Sequence, residues 1–338
     1  MGLPTVPSLT RRKCADRDHR RSAERGNRIV DELHKINPGG EAIFVQRDIS
    51  WLRNVDETCR ALMGQLSKIN FLILTAGYMT LQGRNETNEG LDRKMCVNYY
   101  SRIRWTLNLM PLLTAASQRQ ELSRVMTVLA AGSEGEVRLD DLELRRNFTL
   151  HACLAHCAVM TDFMVEELAR RYPGTAFSHS YPGTVKTGIA NALTGPVRLA
   201  VKVLYAVMTP WILNVQESGE RHFFQMTSRC YPAANGNGGG NGGVGLPIPD
   251  GLEMTRGSNG EVGSGAYLLD WDGKSTGDER LLRKYRELGM GAKVWEHTMA
   301  MFRQAERLNA SQLKRPAADE AEGSGGRSIP NPIGWRSG

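Results

Sequence analysis

The chain has no framework of close cysteine pairs: its six cysteines, Cys14, Cys59, Cys96, Cys153, Cys157 and Cys230, are scattered through 338 residues. That argues against a disulfide-stapled secreted scaffold and for a reducing, cytoplasmic setting. The N-terminal MGLPTVPSLTRRKC has no apolar core of the kind a secretory signal needs, is poor in serine for a transit peptide, and carries Val6 where N-myristoylation needs Ser or Thr. Long uninterrupted hydrophobic runs are also missing. Val197 to Val215 comes nearest, but Arg198, Lys202 and Pro210 break it, so it reads as an amphipathic lid or substrate-side helix, and membrane contact is disfavoured. Basic residues outnumber acidic ones, 43 to 36, yet much of the excess lies in the first 28 residues with no aromatic residue among them. That pattern does not suit nucleic acid as a partner.

What is present is enough apolar sequence, 41% of the residues, for one large core. Asn27 to Lys35 has helical spacing and ends at Asn37-Pro38-Gly39-Gly40. Ala42 to Arg47 is a short β-prone run, and Val55 to Leu66 returns to helical spacing. Phe71 to Leu74 and Arg124 to Ala130 read as strands buried on both faces, with a helix between them over roughly 89–116. A helix over 150–171, a strand over 176–180, a further strand near 265–271 and helix-forming sequence from Glu279 to Arg307 continue the alternation. Strand and helix in turn predict an α/β, doubly wound parallel sheet. Residues 1–19 read as a basic, irregular N-terminus and 20–308 as the α/β domain. Within it lies a flexible glycine-rich insertion over 235–245, and 309–338 read as a disordered tail.

Four landmarks fall in order along this pattern: Asp48 after a strand, Thr75-Ala76-Gly77 after the next, Asn98 in a helix, and Pro182-Gly183-Thr184-Val185-Lys186-Thr187 after a later strand. Together they resemble the short-chain dehydrogenase/reductase family, and segments such as RGNRIV and GSGAYLLDWDG resemble its divergent fungal members of secondary metabolism. The resemblance implies a Rossmann-like fold, NADP or NAD as cofactor, and a small-molecule substrate whose carbonyl or alcohol is reduced or oxidised. It assigns Asp48 to the adenine amino group, the alternative being an N-cap of the helix that follows. It assigns Thr75, Ala76 and Gly77 to the cofactor wall, and Pro182, Gly183, Val185 and Thr187 to the nicotinamide carboxamide. Arg20 and Arg21 fall where such chains meet the 2′-phosphate of NADP. Asn98 would hold a relay water or maintain the kink of the active-site helix. Copies of such chains often assemble through their long helices, which makes a homo-oligomer an expectation.

The resemblance also exposes gaps. Hydride transfer to a carbonyl needs a proton donor, and the family uses a Tyr with a Lys four residues on and a Ser that orients the substrate. Counting back from Pro182-Gly183 puts Phe148 at the Tyr position and Ala152 at the Lys position, while Ala130 takes the Ser position. Ser133 and His156 are the substitutes within reach of the same region. His151, Cys153, His156 and Cys157 crowd into one helix but not onto one face, so no metal site is expected. Residues 1–19 contain one glycine, Gly2, so the glycine-rich turn that cradles a pyrophosphate has no counterpart. The expectation is therefore an N-terminally truncated sheet without its first βαβ unit, poorly soluble and weak in binding NADPH. Two functions follow: an oxidoreductase acting on a hydrophobic metabolite, or a catalytically inactive relative serving as scaffold or truncated gene product.

Overall fold

A computed structural model describes residues 19–183, 214–236 and 244–313. Helices α1 (His19–Ile36) and α2 (Leu52–Met63) precede strand β1 (Phe71–Leu74). One turn, α3 (Arg93–Met95), runs through a π-helical turn (Cys96–Tyr100) into α4 (Ser101–Gln118), which leads to β2 (Arg124–Val128). Then come α5 (Leu150–Arg171), β3 (Ala176–Ser180), α6 (Val215–Thr227), β4 (Ala266–Leu269), α7 (Glu279–Glu287) and α8 (Met290–Leu313). The four strands form one sheet in the order β1-β2-β3-β4, with every neighbouring pair parallel. This is an α/β, Rossmann-like fold.

Period-two alternation divides the buried side chains between the sheet's faces. On β4, Ala266 and Leu268 join the larger core built with α2, α4, α5 and α8, whereas Tyr267 and Leu269 join a smaller cluster with Cys230, Tyr231 and Ala233. Both faces of β4 are therefore covered, which is why its Ala-Tyr-Leu-Leu sequence is apolar throughout. Helix α5 lies almost wholly inside, with Val159, Met160 and Met164 at 0% exposure. Thr149 begins it by accepting from the Ala152 N–H at 3.0 Å.

Three expectations need correction. Residues 42–47 form no strand, although Val45 is buried and the Phe44 ring lies so close to Gly26 that a Cβ there would be 2.5 Å away. A strand exists only through its ladder, and no described strand lies beside this segment to share its N–H and C=O groups. The tail does not lose order at Asn309, because α8 continues to Leu313. Asn309 Nδ2 donates to Glu89 Oε1 at 2.9 Å and Gln312 Nε2 to the Asn88 carbonyl at 3.2 Å, which tie the last turn down. The ends of the 235–245 insertion are likewise tied down: Asn235 N–H donates to the Pro173 carbonyl at 2.9 Å at its start, and just past its end Leu246 N–H donates to the Thr227 carbonyl at 2.8 Å. Its middle, 237–243, lies outside the described residues, as does Val197 to Leu213 of the expected amphipathic segment.

Candidate functional site

In a parallel sheet the strands end together, and the loops that leave their carboxyl ends enclose the crevice. Here those loops begin at Thr75, Leu129, Tyr181 and Asp270. Thr75, Ala76 and Gly77 leave β1 and are followed by Tyr78. The side chain of Asn98 grips Tyr78 twice: its Oδ1 accepts from the Tyr78 N–H at 2.9 Å and its Nδ2 donates to the Tyr78 carbonyl at 2.8 Å. Asn98 sits at 3% exposure in the middle of the π-helical turn, where Ser101 N–H donates five residues back to the Cys96 carbonyl. The local irregularity aims Asn98 at the loop.

Four residues further, Arg102 is 2% exposed, and its guanidinium reaches the same place. Nη1 donates to the Leu74 and Val128 carbonyls at 3.0 Å each, and Nη2 donates to the Ala76 carbonyl. One buried cation thus ties together the ends of β1 and β2. Sequence reasoning passed over Arg102, although a charged residue inside the apolar VNYYSRIRW was a visible signal.

At the end of β2, Ala130 N–H donates to His179 Nε2 at 3.0 Å. That fixes the tautomer, so His179 Nδ1 carries the hydrogen it donates to Asp162 Oδ1 at 2.6 Å. Both residues are wholly buried. Burial pushes the imidazole down to about 3, helped by nearby Arg102, and His179 is neutral. Burial, with Glu134 and Glu166 adding to it, holds the Asp162 carboxyl well above the usual range. This dyad was not foreseen; its members are seventeen positions apart on different elements.

The end of β3 carries Tyr181, Pro182 and Gly183. Tyr181 N–H donates to the Leu269 carbonyl at 2.8 Å, and Gly183 is buried in the left-handed region at φ +74°. Val185 and Thr187 lie outside the described residues. Arg20 and Arg21 belong to α1, whose first side chains are likewise outside them. Asp48 enters a turn: its Oδ1 accepts from Ser50 N–H at 3.0 Å and Ser50 Oγ at 2.8 Å, and its carbonyl accepts from Asn54 Nδ2 at 2.8 Å. Asp48 therefore does not cap α2: the N-cap position is Trp51, and the first helical N–H groups go to Glu89 instead.

Comparison with known proteins bears on this arrangement. No family profile matches the chain. It is 40% identical over 287 residues to oxidoreductase AN1596 of Emericella nidulans, covering 84% of each chain. It is 34% identical over 282 residues to oxidoreductase andH of Emericella variicolor, covering 83% of this chain and 81% of the relative. The short-chain dehydrogenase/reductase SAT2 of Stachybotrys chartarum is 26% identical over 306 residues, covering 86% of this chain and 84% of the relative. The chain belongs to the short-chain dehydrogenase/reductase family.

The gaps noted in the dehydrogenase/reductase pattern take a sharper form. Phe148 lies two residues before α5, so it shares no helical face with Ala152, and its ring packs 4.8 Å from the Lys94 ammonium. The counting that placed the Tyr–Lys pair there thus gives no i, i+4 geometry. The absence of the pair does not depend on that counting, because α5, LHACLAHCAVMTDFMVEELARR, contains neither tyrosine nor lysine in any register. Ser133 is exposed on a turn, its N–H donating to the Ala130 carbonyl at 3.1 Å. His156 is wholly buried, and burial lowers its pKa. Its Nε2 accepts from Arg138 N–H and its Nδ1 donates to the Leu142 carbonyl, each at 3.1 Å. With both nitrogens taken by backbone, His156 has none to offer a substrate, which corrects its expected role as stand-in acid. Among the described residues no three His, Cys, Asp or Glu side chains converge as a metal would require.

Proposed function

We propose that this chain is an NAD(P)-dependent oxidoreductase of the short-chain type, acting on a carbonyl or alcohol of a hydrophobic metabolite in secondary metabolism. The observation that carries this reading is that Thr75-Ala76-Gly77 and Pro182-Gly183 leave the carboxyl ends of β1 and β3, on either side of β2 in one parallel sheet, with Asn98 bonded to the loop after β1. The residues suit the ribose and nicotinamide end of a dinucleotide. Ala76 and Gly77 are small, and the left-handed backbone of buried Gly183 brings main chain up to the crevice where a Cβ would be strained. When bound, a reduced nicotinamide supplies a hydride to a carbonyl carbon. Thr75, Ala76 and Gly77 would wall the ribose, Pro182 and Gly183 with Val185 and Thr187 would meet the carboxamide, and Asn98 keeps the wall in place through Tyr78. Arg20, Arg21 and Asp48 would serve the adenosine end.

A second reading, a catalytically silent relative that keeps the fold as a scaffold, is favoured by α5, which carries neither the phenol nor the ammonium for proton transfer. Titration calorimetry with NADPH and NADH, followed by NADPH oxidation with a long-chain aldehyde, separates the readings. Micromolar binding with turnover is expected for the first, and binding without turnover for the second. No heat with either dinucleotide would sink both as cofactor-binding proposals.

A further inference from the structure

We infer that Arg102 is a positioning residue that wedges open the fork between β1 and β2, presetting the loop Thr75–Tyr78 to receive the dinucleotide. The inference rests on the reading that this crevice takes a nicotinamide dinucleotide.

Parallel strands satisfy each other's carbonyls only while they run side by side. The β1–β2 register ends at Leu74 opposite Thr127, after which the chains turn apart. Carbonyls just beyond that point lose their ladder partners, and a buried carbonyl without a donor costs about 1–3 kcal/mol. Arg102 supplies the donors, to Val128 on one prong of the fork and to Ala76 on the other, and to Leu74 at its base. The planar guanidinium carries several donors in a rigid array, so it fixes the spacing between the prongs as well as satisfying them.

Two further features assign the wedge to the loop rather than to general stability. A buried cation is an expensive way to fill core volume, since an apolar side chain packs there without losing hydration. Asn98, one turn earlier on the same helical stretch, secures the next loop residue, Tyr78, through both its N–H and its carbonyl. Side chains of one stretch therefore hold Leu74, Ala76 and Tyr78, alternate residues of the segment that would face the ribose. A crevice wall fixed before binding spares the ligand the cost of ordering it.

Hydrogen–deuterium exchange of the full chain tests this. In the wild type, the peptide spanning 75–80 should exchange at least about tenfold more slowly than the adjoining 81–86, in line with the spread of local opening energies. Arg102→Lys keeps the charge but not the fork, and Arg102→Met keeps the volume but not the charge. Each should accelerate exchange over 75–80 and 129–131 by about tenfold or more, leave α5 peptides unchanged, and weaken NADPH binding in calorimetry about tenfold. Unchanged exchange over 75–80 in a folded variant would overturn the inference, and so would an equal loss of protection in α5. If neither variant folds, wild-type exchange decides: parity between 75–80 and 81–86 refutes the wedge. If the wild type binds no NADPH, the functional reading fails while the exchange result still judges Arg102.

Discussion

Histidine protonation links single residues to stability in this molecule. The His297 Nε2 is 2.8 Å from the Tyr100 hydroxyl, and burial, with His156 nearby, pushes the imidazole from the usual 6.5 down to about 4. The unfolded chain therefore takes up a proton near pH 6.5 that the folded protein refuses until about pH 4, so this contribution is complete above 6.5 and fades as pH falls through that window. The full loss is about 3 kcal/mol at 1.36 kcal/mol per pH unit. His156 and His179 act in the same direction, while Asp162, with its raised pKa, acts oppositely and loses stability as pH rises. His297→Gln keeps a polar partner for Tyr100 without the titration. Urea midpoints measured from pH 7 to pH 4.5 should fall less steeply for this variant than for the wild type; parallel slopes would remove His297 from the account.

At the scale of elements, α2 shows how a helix end can be completed from far away. No side chain at its own N-terminus caps it; instead the buried Glu89 carboxylate accepts from Leu52 N–H at 2.6 Å and Arg53 N–H at 3.0 Å. A carboxylate at this end also meets the positive pole of the helix. Glu89→Ala should cost about 2 kcal/mol, more than Glu89→Gln, as read from thermal unfolding. An equal cost for both would show that charge is irrelevant at this cap. Elements whose identity is local were legible in the sequence: β1 has the bounds of its apolar run, and β3 and α5 have the bounds expected from the alternation of strand and helix. Elements that depend on distant partners were not. The 42–47 run looked like a strand because propensity cannot report whether a ladder partner exists, and Asn309 looked like a tail because its anchor, Glu89, lies 220 positions away. At the site, loop positions such as Ala76 and Gly183 could be read from small residues after strands, whereas the Arg102 wedge and the Asp162–His179 dyad exist only once the chain is folded.

Across the whole molecule, apolar cover is uneven. The two clusters seal β3 and β4, but β1 is the outer strand of the described sheet and its Ile73 is 49% exposed. An exposed apolar residue on an outer strand invites pairing with another chain, which a lysine discourages. Ile73→Lys should leave the unfolding midpoint within about 0.5 kcal/mol of wild type while reducing light scattering of concentrated samples. A large loss of stability would mean that Ile73 is packed rather than presented. Among the described residues, no helix is long and apolar enough to cross a membrane.

The π-helical turn at Cys96–Tyr100 amounts to one residue more than a regular helix would hold. Removing a single residue there would let the helix wind evenly and would swing the preceding part by about 100°, the arc one residue subtends. Asn98 and Arg102 now serve the same loop from either side of that extra residue. Between Asp92 and Arg102 every residue but Arg93 is buried, so the length of this stretch counts out the angle at which two side chains meet one backbone.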